Sequence, residues 1–279
     1  MPTNATRKLG IIAGGGVLPR RLAETHLHAG GDVFVIAFEG ITPNETIEGF
    51  DHAWVRLGRI QDTMDAMLGA GVQDVVMAGP IKRPTLSSLD IDGRGAKLLF
   101  RAGRKVLGDD GLLSVLVAEI ESDGLRVIGV DQILGGVLAR SGPIAGPEPD
   151  EAAWSDIQRG IDVLKHLGPV DVGQGIAVQE GLVLAVEAIE GTDAMIARAG
   201  ALARAGSGPI LVKISKPGQE RRADMPTVGP DTVKNAVAAG FRGVAVEAGS
   251  TLLLEVERAR ALAEEAGLFL VGVDTRAGT

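Results

Sequence analysis

Two α/β domains, the first built on a Rossmann-like parallel sheet, are what this sequence predicts, and three observations predict them. Short apolar runs end in glycine turns and lead into amphipathic stretches, and this alternation fills both halves of the chain. Forty glycines against eight aromatic residues point to tight turns and small-residue packing, as folds with backbone-lined phosphate sites require. The stretch 141–150, SGPIAGPEPD, places three prolines and two glycines among ten residues, which neither a helix interior nor a central strand accepts. A boundary is therefore expected near Pro147, with domains 1–147 and 148–279.

Composition removes several function classes. With 279 residues, 45% of them hydrophobic and 23% charged, the chain can bury a sizeable core and is not disordered. It has no cysteine, which excludes disulfides, thiolate zinc sites and cysteine nucleophiles and suits the cytoplasm. A net charge of −8 argues against a general nucleic-acid binder, which needs an extended basic face. No apolar run reaches the ~18 residues of a spanning helix, and no cleavable leader precedes the first strand. With four histidines, of which only His166 lies in the second half, a histidine-held dinuclear centre or a Ser-His-Asp triad lacks parts.

In the first half, KLGIIAGGG reads as a strand ending in Gly14, Gly15 and Gly16, followed by a helix with Leu18, Leu22 and Ala29 at helical spacing. Glycines there let backbone N–H groups approach an anion at the positive end of the helix. The run is short of a full GxGxxG fingerprint, and no acid closes the second strand, VFVIAFEG, in the usual way; Glu39 comes nearest. HAWVRLG reads as a third strand, and IQDTMDAMLGAG as a helix with Ile60, Met64, Met67 and Leu68 on one face. QDVVMAGPIKRP reads as a fourth strand ending at Gly79 and Pro80, with Lys82 and Arg83 next. In a doubly wound sheet the first and fourth strands flank the switch point, so the glycine turn and these cations face one crevice suited to a diphosphate. In 93–107, Arg94, Lys97, Arg101 and Arg104 share one side of a helix, either as a solvated face or as a contact for acidic membrane. LRVIGVDQIL reads as a strand that carries Asp131 and Gln132 to the same crevice.

The second half alternates again, beginning with the helix DEAAWSDIQRGIDVLKHLG, acidic early and basic late. Its most informative stretch is 213–230, KISKPGQERRADMPTVGP. Lys213, Lys216, Arg221 and Arg222 fall within ten positions around a Pro-Gly turn, and Asp224 follows. PILVKIS before it reads as a buried strand and GPDTVKNAVAAG after it as a helix. The stretch is then a strand-to-helix connection, where open α/β sheets hold ligands. Asp193 after Thr192, Asp224, and Glu247 at the end of GVAVE are acids at strand ends or helix starts, and such carboxylates can share a Mg²⁺. Asp193 as an N-cap and Glu247 as a loop cap are the bland alternatives.

EGTDAMIARAG, VKISKPGQERRADMPTVGPDTV and GVAVEAGSTLLLE, with IIAGGGVLPRRLAE and AGPIKRP, resemble the UDP-2,3-diacylglucosamine pyrophosphatases of alphaproteobacterial lipid A synthesis. The resemblance covers nearly the whole chain, and its K-x-x-K-P-x-Q-x-x-R-x-D-x-P-x-x-G run is an uncommon pattern. It implies a UDP-binding first domain, a catalytic second domain and Mg²⁺ dependence; Mn²⁺ is left open as the alternative metal. It also implies hydrolysis to UMP and 2,3-diacylglucosamine 1-phosphate, and an essential aspartate at Asp224.

Residues and resemblance together give one expected mechanism. Lys213, Lys216 and Arg222 neutralise phosphoryl charge while Asp224 holds the metal or orients water. Asp193 and Glu247 complete the metal set, and Thr192 and Gln219 join the substrate contacts. The substrate is expected between the domains, its acyl chains in an apolar groove, with the protein peripheral to the inner membrane and a homodimer left open. A dinucleotide-dependent oxidoreductase and a non-catalytic nucleotide or lipid carrier are the competing classes, and turnover separates them.

Overall fold

The computed structural model describes residues 7–81, 89–103 and 109–275. The chain divides into two units, Met1–Gly136 with Glu220–Asp224, and Val137–Gln219 with Met225–Thr279.

The first unit runs β1 (Leu9–Ala13), α1 (Leu18–His28), β2 (Val33–Phe38), α2 (Asn44–Ile47), β3 (His52–Val55), α3 (Ile60–Gly69), β4 (Asp74–Ala78), α4 (Gly93–Ala102), α5 (Asp109–Ser122), β5 (Arg126–Val127) and α6 (Val130–Ile133). Its strands pair in the order β3-β2-β1-β4-β5, all parallel, so the switch point lies between β1 and β4. β1 and β4 are buried at every position, which is why they read as unbroken apolar runs. The core sets Ile12, Ile36, Val75 and Val127 of the sheet against Met64 and Met67 of α3 and Val117 and Ile120 of α5. Each such buried side chain contributes roughly 1.5–3 kcal/mol relative to exposure. Leu68, expected on the same face as the methionines, is 44% exposed.

The second unit runs β6 (Gly142–Ala145), α7 (Glu151–Leu167), β7 (Gly175–Gln179), β8 (Leu182–Val186), α8 (Thr192–Ala201), β9 (Ile210–Lys213), β10 (Thr227–Val228), α9 (Pro230–Ala238), β11 (Gly243–Glu247), β12 (Leu252–Leu253), α10 (Val256–Ala266) and β13 (Phe269–Val273). Six strands form a mixed sheet, β6-β13-β11-β9-β7-β8, parallel across β13, β11 and β9 and antiparallel at both sides of that block. Helices α8, α9 and α10 cover one face through Met195, Ile196, Val233 and Ala259. The other face takes α7 through Ile157, Ile161 and Leu164. Asp150 caps α7, accepting from Ala153 N at 2.7 Å. β10 and β12 form a separate parallel pair.

Three expected elements come out differently. Residues 142–145 of the Pro/Gly-rich stretch are not a free linker but β6, an antiparallel edge strand on β13, and Pro143 is tolerated because an edge needs no donor on its outer side. LRVIGVDQIL is not one strand: Gly129 separates the two-residue β5 from α6, and Asp131 and Gln132 lie in that short helix. The basic segment is a helix only to Ala102, where Gly103 at φ 51° closes it. Arg104 lies outside the described residues.

Candidate active site

At the carboxyl edge of the first sheet, the turns after β1 and β4 are packed backbone to backbone. Gly14 N donates to Ala78 O at 2.8 Å and Gly15 N to Pro80 O at 2.9 Å. A Cβ on Gly14 would lie 2.4 Å from Gly79 O, and one on Gly79, at φ 88°, would lie 2.3 Å from Gly15 O. Glycine is therefore required on both sides of the switch point. The expected donation by this turn to an anion is corrected in part, since the Gly14 and Gly15 N–H groups are already taken by the neighbouring turn. Gly16, at φ 74°, leads through Val17 into α1. Lys82 and Arg83 lie outside the described residues.

The same unit carries the turn with Asp224. Ala223 N and Asp224 N both donate to Glu220 O at 2.9 Å, and Ala223 packs against the core of the first unit. A Cβ on Gly129 would reach 2.4 Å from Asp131 Oδ1 and 3.9 Å from Arg221 O, which puts this turn beside Asp131, just past β5. Asp131 and Asp224 are partly exposed and Gln132 is exposed. Arg222 is clamped by two carboxylates, donating to Glu220 through Nε at 2.9 Å and Nη2 at 2.8 Å and to Glu121 through Nη1 at 2.7 Å. The hydrogen bond from Arg222, against the cost of burial, holds the Glu220 carboxyl below its usual range, and the same bond raises Arg222. The expected phosphoryl-facing cation is thus the fastener of its own turn.

In the second unit, functional side chains gather at the carboxyl ends of β9 and β11. Lys213, the last residue of β9, is 3% exposed, and its Nζ donates to Thr192 Oγ1 at 2.6 Å. The Thr192 hydroxyl donates in turn to Glu187 Oε1 at 2.7 Å, and Glu187 Oε2 lies 3.8 Å from the ammonium. Lys216 Nζ pairs with Asp171. Gln219 accepts from Lys216 N at 2.9 Å and donates to Gln174 Oε1 at 3.1 Å, fixing the Pro-Gly turn between them. Glu247 accepts from Ser215 N at 2.9 Å through Oε2 and from Thr275 through Oε1, so it ties down the two chain segments that leave β9 and β13. Asp193 is exposed in the first turn of α8 and accepts from Asn235 Nδ2 of α9 at 2.9 Å.

Of the three expected metal acids, Glu247 has both oxygens engaged and Asp193 accepts from Asn235 of α9, while Asp224 lies in the first unit. Among the described residues no group of three or more Asp, Glu or His has metal-holding geometry. A surface cleft of 530 Å³ on the first unit, lined by Arg59, Asp92, Arg94 and Lys97, contains none of the expected site residues. Glu187 and Asp171 were not singled out by sequence. Their signal is faint but present: each is a lone acid at the end of, or just before, an apolar strand, in LVLAVE and VDVGQG.

Family models of the LpxI N-terminal domain and the LpxI C-terminal domain match residues 8–137 and 140–271. The chain belongs to the LpxI family. A curated LpxI of Caulobacter vibrioides, a UDP-2,3-diacylglucosamine pyrophosphatase, is 39% identical over 277 residues, covering 96% of this chain and 98% of the relative. Among solved structures, an N5-carboxyaminoimidazole synthase of Aspergillus clavatus with bound ADP and 5-aminoimidazole ribonucleotide is 14% identical. It covers 71% of this chain and 44% of that one at a TM-score of 0.25. The structure of gox2253 is 11% identical and covers 97% and 91% at 0.31. At those scores neither likeness bears on this LpxI chain. The LpxI domain division, near residues 138–139, falls beside the contact boundary at Gly136/Val137 and ahead of β6.

Proposed function

We propose that this chain hydrolyses the diphosphate of UDP-2,3-diacylglucosamine to UMP and 2,3-diacylglucosamine 1-phosphate, in lipid A synthesis. The observation that carries it is the end-to-end identity with the Caulobacter pyrophosphatase. The first sheet supports it by offering, at one carboxyl edge, the Gly14–Gly79 turns, Asp131 and the Asp224 turn. A nucleotide diphosphate binds at the switch point of such a sheet. Asp224 orients the attacking water, Lys213 neutralises charge on the phosphoryl oxygens through donors that Thr192 does not take, and Lys216 does so by exchanging part of its pairing with Asp171 for the substrate.

Asp224, with phosphate oxygens of the substrate, would hold Mg²⁺ or Mn²⁺ in its place. Mg²⁺ typically needs only one or two carboxylates when phosphate supplies the rest, so a three-acid cluster is not required. When bound it adds charge neutralisation at the diphosphate. The protein acts as a peripheral partner of the inner membrane, from which it draws its diacylated substrate; no helix of the described residues is long and apolar enough to cross a membrane.

Incubation of the purified chain with UDP-2,3-diacylglucosamine should release UMP, detected by chromatography. Tight UDP binding without any UMP release would replace this function by that of a carrier. Excess EDTA should abolish turnover, and full activity in EDTA would remove the metal.

A further inference from the structure

The buried group Glu187–Thr192–Lys213 has a feature that simple ion pairing does not explain. Glu187 is 8% exposed, yet only Oε1 is hydrogen-bonded, and Oε2 makes no hydrogen bond. Buried carboxylates ordinarily satisfy both oxygens, and a lysine within reach ordinarily closes onto one of them. Here the Thr192 hydroxyl is interposed, accepting from Lys213 at 2.6 Å and donating to Glu187 at 2.7 Å. The ammonium stands 3.8 Å from Oε2, beyond hydrogen-bond length.

The local chain is shaped around that carboxylate. A Cβ on Gly175 would come 2.5 Å from Glu187 Oε2, and one on Gly173 would come 1.9 Å from Glu187 O, so glycine at both positions lets the glutamate lie there. Gly175 is the β7 residue in register with Lys213, so the arrangement sits at the edge of the sheet where the 213–230 stretch begins. A lysine ammonium has three donors, and the hydroxyl takes one of them. The carboxylate supplies the charge that a buried ammonium needs without occupying its remaining donors.

We propose that Glu187 is a positioning residue for the hydrolysis, acting through the Thr192 hydroxyl to aim and charge-balance Lys213 while leaving that ammonium's other donors for phosphoryl oxygens. This rests on the role of Lys213 proposed above, and the test separates the two. UMP release and thermal melting are measured on the full chain for Lys213→Met, Thr192→Val, Thr192→Ser, Glu187→Gln and the double variant Glu187→Gln/Lys213→Met.

Lys213→Met should lose at least about a hundredfold in kcat, as removal of a charge-stabilising group does. Thr192→Val and Glu187→Gln should each lose about tenfold or more in kcat with KM within about threefold, and Thr192→Ser, which keeps the hydroxyl, should stay within about threefold of the parent in both. In the Lys213→Met background, Glu187→Gln should cost nothing further, since residues acting as one unit are not additive. The same loss in both backgrounds would overturn the proposal, as would an unchanged kcat in Thr192→Val. Should Glu187→Gln fail to fold, the Val/Ser pair at Thr192 decides alone, because both fill the site and only one relays. Full activity in Lys213→Met would overturn the inference, and Asp224→Ala then shows whether the pyrophosphatase function falls with it or stands.

Discussion

Asp224 is held by its backbone, through the turn that Glu220 O closes, and by Ala223 in the core of the first unit rather than by a rigid strand or helix. Replacing it with alanine should leave folding intact and cost at least about a hundredfold in kcat, the usual loss for a group that orients the nucleophile or metal. Wild-type-like turnover in Asp224→Ala would exclude it from the chemistry. A second residue-scale outcome concerns acid stability. Arg94 donates to Asp123 at 2.8 and 2.9 Å and, chiefly through those hydrogen bonds, holds its carboxyl below the usual range. A carboxyl depressed in the folded state stabilises the fold above its unfolded pKa of about 3.9, and that stabilisation is lost as pH falls through the folded value. Asp123→Asn should therefore lower the melting temperature near neutral pH and narrow its gap to the parent below about pH 4. A gap that widens on acidification would reverse the sign. At this scale the sequence singles out Lys213 and Thr192 but not the bond between them or its continuation to Glu187. A contact between side chains on three different elements leaves no periodic trace along the chain.

The basic segment shows why an element can be legible while its purpose is not. Asp92 caps α4, accepting from Gly95 N at 2.7 Å, so the helix begins where a capped pattern places it. Its helical wheel, however, cannot tell solvent from a neighbouring helix. Arg94 and Arg101 both reach Glu119 of α5 at 2.7 Å, and Arg94 is only 16% exposed. Lys97 and Phe100 are exposed, Phe100 at 88%. Arg94→Glu should accordingly lower the melting temperature by several degrees, because it sets a third carboxylate against Glu119 and Asp123, and breaking a buried pair costs about 3 kcal/mol. An unchanged melt would return Arg94 to the solvent. The proposed membrane contact is tested at Lys97 and Phe100: Lys97→Glu/Phe100→Ser should weaken sedimentation with anionic liposomes while sparing a short-chain soluble substrate, and unchanged sedimentation would withdraw α4 from the membrane. β6 was hidden for a different reason. Its proline and glycine argue against a central strand, and the mixed sheet uses them at an edge, which depends on β13 more than a hundred residues away.

Across the whole molecule, alternation of apolar runs with capped amphipathic stretches was enough to foresee two α/β units, because fully buried parallel strands impose it. It could not show where the 220–224 segment belongs. Proline and glycine mark 217–218 as a turn, yet only packing reveals that the residues after it join the core that the first half builds. Gly79→Ala is the test of that first unit as a binding surface. With φ at 88° and Gly15 O at 2.3 Å from the added carbon, it should destabilise the fold by about 2 kcal/mol or more and raise the Kd for UDP, measured by calorimetry. Unaltered UDP affinity in a folded variant would move the nucleotide away from the switch point.

The assignment of 220–224 to the first unit has a consequence for anyone exchanging gene segments between relatives. The backbone passes from one unit to the other after residues 136, 219 and 224, so neither unit is a single stretch of codons. A hybrid gene joined at codon 137 would take Glu121 from one parent and Arg222, Ala223 and Asp224 from the other, mixing ancestries inside one core. Grafting codons 220–224 along with the first 136 keeps each parent's packing intact. The five-codon graft should recover turnover that the simple two-piece hybrid of diverged parents loses, and equal activity from both hybrids would show that the segment is interchangeable.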